Sequence, residues 1–89
     1  MPKNILKLEF LVHAPEGSKN VTVLSPQMSP TVFGDSSLQD FDEDLLTYMM
    51  GLTIKQFFNQ QKQTPEVKFE LPQDGILHHG AKFDALLTI

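Results

Sequence analysis

Residues 38–58 read LQDFDEDLLTYMMGLTIKQFF, four acids within five positions followed at once by an apolar run. Ser36 or Ser37 stands where a helix cap would, with Gln39 or Asp40 three residues on to return the bond. On a helical wheel Leu38, Phe41, Leu45, Met49 and Leu52 share one stripe. Continued on the same wheel, Ile54, Phe57 and Phe58 fall almost opposite, so one straight rod exposes one set or the other. Gly51 suits the left-handed residue past a helix end, and Thr53 with Gln56 spells a Thr-x-x-Gln capping box. The pattern therefore predicts two helices, 37–50 and 54–62, with a turn at Gly51 and Leu52. Asp40, Asp42, Glu43 and Asp44 then fill the first two turns, where each carboxylate favours the positive end of the helix dipole by about 0.3–1 kcal/mol.

The flanks read as strands. In NILKLEFLVH, residues 4–13, Leu6, Leu8, Phe10 and Val12 alternate with Lys7, Glu9, Leu11 and His13. Pro15 and Gly17 mark a turn, and Val21–Leu24 is the returning strand. Pro26 and Pro30 make the next segment a surface loop, with Thr31–Phe33 as a brief edge pairing. Val67, Phe69 and Leu71 alternate with Lys68 and Glu70, and Pro72–Gly75 is a turn. Ile76–His78 reads as a short strand, and the alternation of Phe83, Ala85, Leu87 and Ile89 makes a last long one. The expectation is a single α+β domain over residues 1–89. It has one mixed or antiparallel sheet of four to five strands, long first and last strands at its centre, and two short helices on one face. The order β-β-α-α-β-(β)-β is similar to that of the ubiquitin-like β-grasp fold. Conjugation of the ubiquitin kind needs a flexible Gly-Gly tail, whereas here Leu87, Thr88 and Ile89 close a strand.

Composition narrows the chemistry. With 89 residues, 40% hydrophobic and 20% charged, the chain is one small folded domain. It has no cysteine, which excludes disulfides, thiolate nucleophiles, iron–sulfur clusters and cysteine-based zinc sites. No apolar run approaches the ~18 residues of a membrane span, and the charged N-terminal stretch lacks the apolar core of a signal peptide, so a cytoplasmic, membrane-free protein is expected. The net charge of −4 is localised: residues 20–54 hold Asp35, Asp40, Asp42, Glu43 and Asp44 and no lysine. There is no arginine anywhere, so direct nucleic-acid binding is not expected.

Catalytic and metal signals are weak. DFDED does not have the ligand spacing of a calcium loop. His78 and His79, adjacent in an extended segment, point apart and leave only a pairing of one of them with His13. Asp74, His78, His79 and Asp84 are the nearest approach to an acid–base set, and no motif orders them. No metal, cofactor or enzymatic activity is expected. The expected function is a small protein-interaction module. It would bind a partner protein, one with a basic surface, through an acidic helix face (Asp35, Asp40, Glu43, Asp44) or a sheet edge. The alternatives are an acidic inhibitor that fills a basic nucleic-acid-binding groove of its target, and an accessory subunit of a larger enzyme. Tyr48, Met49, Met50, Phe57 and Phe58 are many large apolar groups for two short helices, so Phe58 is a candidate contact and a homo-oligomer a candidate assembly.

Overall fold

The alternating segments become five strands in a computed structural model that describes residues 4–62 and 64–88: β1 (Ile5–His13), β2 (Val21–Leu24), β3 (Thr31–Phe33), β4 (Glu66–Glu70) and β5 (Lys82–Thr88). They form one sheet in the order β3-β2-β1-β5-β4, with every neighbouring pair antiparallel. The two long strands are central, as their length predicts. The element order is β-β-β-α-β-β, with three strands before the helix where two were expected, and no described pair is parallel, so neither the expected order nor the mixed sheet of the β-grasp likeness is found. Even-numbered β1 residues and odd-numbered β5 residues meet on one face, Leu8 against Ala85 and Phe10 against Phe83, whose rings stack at 5.2 Å. Val12, Val21 and Val23 extend this face. The other face carries Lys7, Glu9, Leu11, Lys82, Asp84 and Leu86.

Proline sets where β2 stops. Leu11 pairs with Leu24, so the next inter-strand step would place Pro26 opposite Glu9. Pro26 has no N–H to offer the Glu9 carbonyl, and the chain leaves the sheet. The Gln27 side chain takes over part of the lost pairing, its Oε1 accepting the Glu9 N–H at 3.2 Å.

The apolar face of the sheet is covered by a single helix, α1 (Glu43–Asn59). This corrects the expected pair of helices. Ser37 and Asp40 do form the anticipated capping pair, with the Ser37 N–H donating to Asp40 Oδ2 at 2.6 Å, but it serves only one 3₁₀ turn, Leu38–Asp40. The chain then extends through Phe41 and restarts at Asp42, whose Oδ1 accepts the Leu45 N–H at 2.6 Å. The break thus falls at Phe41 and Asp42 and not at Gly51, so Leu38 and Phe41 do not belong on the wheel of α1 and lend no weight to the stripe of Leu45, Met49 and Leu52. Within α1 the buried stripe is Leu46, Met50, Ile54 and Phe58, spaced i, i+4 and running unbroken past Gly51. Thr53 does not cap: its Oγ1 donates to the Met49 carbonyl at 3.0 Å, one helical turn back. The left-handed residue that follows the helix is Lys62, with φ of 61°.

Residues 71–81 return beneath the start of α1. Pro72–Gly75 is the predicted turn, closed by the Gly75 N–H on the Pro72 carbonyl at 3.0 Å. Ile76–His78 is not a strand; Ile76 is instead a fully buried plug in the core. No described helix is long and apolar enough to cross a membrane.

Candidate functional site

A helix that covers a sheet with one stripe is expected to be polar on its other side. The outer side of α1 is not. Leu45, Tyr48, Met49 and Leu52, spaced i, i+3, i+4 and i+7, are 41%, 64%, 36% and 47% exposed. The stripe that runs from Leu38 and Phe41 predicts Leu45, Met49 and Leu52 for the core, and the structure exposes all three beside Tyr48. The correct phase turns them outward as one contiguous apolar strip. Asp44 lies one turn before Tyr48, and Lys55 lies three residues after Leu52, so the strip has an acidic end and a basic end.

The acids proposed as a binding face, Asp35, Asp40, Glu43 and Asp44, and Asp42 among them, differ in what they already hold. Asp40 accepts the Ser37 N–H at 2.6 Å and the Ser37 hydroxyl at 3.2 Å. Asp42 is the helix cap. Glu43 is turned inward, its Oε2 accepting the Ile76 N–H at 3.3 Å, and so fastens the start of α1 to the 71–81 segment. Asp35 adopts a left-handed backbone with φ of 55°, and its N–H donates to Asn20 Oδ1 at 3.3 Å. Asp44 is exposed, and its carboxylate has no partner among the described residues. Phe58, proposed as a contact, is 6% exposed and belongs to the core, where its ring meets Phe57 edge-on at 5.2 Å. Being on the i, i+4 stripe, it is unavailable to a partner.

The Glu43 fastening explains Gly75. Its φ of +80° favours glycine, and an added Cβ would sit 2.8 Å from Glu43 Oε2. Gly75→Ala is expected to destabilise the fold by about 1–2 kcal/mol, read as a lower urea midpoint at unchanged slope.

Among the described residues the nearest approach to an acid–base set, Asp74, His78, His79 and Asp84, is brought together only in part. His78 Nε2 lies 3.5 Å from Asp74 Oδ2, both exposed. Asp84 stands on the outer sheet face, 3.5 Å from Lys7 Nζ. His79 meets the His13 ring edge-on at 5.1 Å, and its Nδ1 accepts the Ala14 N–H at 3.0 Å, which assigns the ring proton to Nε2. Among the described residues no three His, Asp or Glu side chains converge to hold a metal. A groove of about 500 Å³ opens on the outer sheet face. The paired Leu11 and Leu24 line it, together with Pro26, Pro30, Glu9, Lys82 and Asp84.

Sequence reasoning missed the apolar strip for one reason, the helix start. The signal was present: Asp42 with Leu45 onward reads as a cap and a new helix as well as Ser37 does. Compared with family models, curated proteins and solved structures, the chain matches none.

Proposed function

We propose that this protein is a non-catalytic interaction module that docks a partner protein on the outer face of α1. The observation that carries this reading is the exposed strip Leu45, Tyr48, Met49 and Leu52. Scattered surface leucines need no explanation, but four large apolar groups on one helical line make a patch of the kind that marks interfaces. The partner presents a complementary apolar ridge with a basic residue beside Asp44, the acid near the strip whose carboxylate is uncommitted. An aromatic with a polar tip at the centre, here Tyr48, is a common anchor in such contacts. The inhibitor reading draws less support, because Asp40, Asp42 and Glu43 hold the protein's own backbone and have little left to offer a basic groove.

Co-purification from the native cell with chemical cross-linking, followed by mass spectrometry, tests the reading. A Leu45→Ser, Tyr48→Ser, Leu52→Ser triple variant is expected to keep its circular dichroism spectrum and thermal cooperativity while losing its partner. Asp44→Lys is expected to weaken capture by about fivefold to tenfold at low salt and less at high salt. A partner that stays bound to the folded triple variant would place the contact elsewhere.

A further inference from the structure

The sheet ends on one side at β4, and the direction of its open backbone groups follows from the registers. The Val12 N–H donates to the Ala81 carbonyl, so even-numbered β1 residues turn their backbone polar groups toward β5. Odd β5 residues face β1 in return, and even β5 residues face β4, where they meet Glu66, Lys68 and Glu70. Val67 and Phe69 therefore aim their N–H and C=O groups outward, away from the sheet, and none of these groups is paired among the described residues. The opposite edge, β3, is only three residues long and follows directly on Pro30. β4 is the longer edge, and its side chains are sorted: Val67 and Phe69 on the helix face, Glu66, Lys68 and Glu70 on the outer face.

We infer that a second copy of this chain adds to this edge, β4 against β4, antiparallel about a twofold axis, to make a continuous ten-stranded sheet. Three registers let the outward-facing residues pair. One centred on Val67 sets Phe69 against Pro65 of the second copy, which has no N–H to give. One centred on Lys68 sets Lys68 against itself and Glu66 against Glu70, like charge on like. The register centred on Phe69 has neither fault. It pairs Val67 with Leu71, Phe69 with Phe69, and Lys68 with Glu70 twice over. Leu71 is 37% exposed in the single chain and gains cover.

Charge across the whole sheet favours the same register. Glu9, Asp84 and Glu70 stand in one row across β1, β5 and β4, directly opposite one another. Lys7, Leu86 and Lys68 make the next row. The Lys7–Asp84 contact at 3.5 Å offsets one of these carboxylates. The Phe69-centred register brings Lys68 of the second copy against Glu70, so each acidic row continues into the lysine row of the other copy. This edge shares no residue with the strip on α1, so pairing here and docking there stand or fall separately.

Light scattering across a concentration series tests the inference. The full chain, 10.0 kDa alone, is expected to rise toward twice that mass. Lys68→Glu creates two like-charge contacts and is expected to raise the dissociation constant about tenfold or more. Combining Lys68→Glu with Glu70→Lys restores complementarity and is expected to restore the dimer. Lys68 and Glu70 of opposite copies form a non-hydrogen-bonded pair with Cα atoms about 4.5 Å apart, within disulfide range. The chain has no cysteine of its own. A mixture of Lys68→Cys and Glu70→Cys proteins is therefore expected to give the mixed disulfide faster than either variant alone gives its own. A chain that remains monomeric at millimolar concentration, failure of the charge-swapped pair to recover association, or equal rates for all three disulfides would overturn the inference. So would a dimer abolished by Tyr48→Glu and untouched by Lys68→Glu.

Discussion

Leu46→Ala is expected to cost about 3 kcal/mol, and Leu45→Ala, one residue away, less than about 0.5 kcal/mol. The two leucines have the same chemistry and the same helix, and differ by 100° of phase. Leu46 has no exposed surface and sits in one core with Met50, Ile54 and the apolar face of β1 and β5. Truncation there loses the transfer free energy of three carbons and leaves a void that a sheet on one side and a helix backbone on the other are slow to fill. Leu45 is 41% exposed and already shares its surface with water. Urea unfolding of the pair reads the difference directly, as a large fall in midpoint for one variant and almost none for the other at unchanged slope. For a domain of 89 residues the loss at Leu46 is a large part of the whole stability. Equal losses at the two positions, or a larger one at Leu45, would show the helix phase to be that of the wheel started from Leu38, and the outer strip would then be core.

This pair also isolates what the sequence made legible. Strands were readable because their period is short: the alternation of Leu8, Phe10 and Val12 fixes the buried face within five residues, and the structure keeps it. The pairing of Ser37 with Asp40 was readable because a cap is local chemistry. Helical phase was not, because α1 is apolar on two sides and each side gives a consistent stripe over part of its length. Choosing between them requires knowing that Leu38 and Phe41 lie outside the helix, and two valid caps, Ser37 and Asp42, five positions apart, leave that open. The commitments of the acids were equally hidden. Glu43 and Asp44 are neighbours with one chemistry, yet one is fastened to Ile76, a residue 33 positions away, and the other is free in water. Only the path of residues 71–81 separates them, and that path contains no periodic signal. Sheet order added the remaining unknown, since the antiparallel joining of β1 and β5 brings together the two ends of the chain.

The ambiguity of α1 has a physical consequence for its surface. A helix that serves only to cover a sheet gains nothing from Tyr48, Met49 and Leu52 on its wet side, and their exposure costs solubility. Keeping the inner stripe and replacing the outer one with polar residues is compatible with the same fold. The outer strip is thus a feature of the surface that the core does not require, and this is why the docking proposed above is placed on it and not on the acids, of which Asp40 and Glu43 are already used by the fold.

Gly51→Pro is expected to destabilise the protein by about 3 kcal/mol or more, and Gly51→Ala to stabilise it by about 0.5–1 kcal/mol. Both follow from Gly51 lying in the ninth position of a continuous 17-residue helix. Proline there removes the N–H that bonds the Thr47 carbonyl and drives its ring against that carbonyl. Alanine keeps the bond, restricts the unfolded chain, and has room. The nearest atom to its Cβ would be Phe69 Cε2 at 3.8 Å, an ordinary van der Waals contact that adds to the packing between α1 and β4. If Gly51 instead ended one helix and began another with a left-handed backbone, the signs would reverse at alanine, which would be strained by about 1 kcal/mol or more. Proline close to the junction would then be tolerated. Thermal unfolding of the two variants decides between these outcomes. A rise in midpoint for alanine with a collapse for proline is the signature of one rod. The rod is what places Leu46, Met50, Ile54 and Phe58 in the core and, by the same rotation, Leu45, Tyr48, Met49 and Leu52 in water.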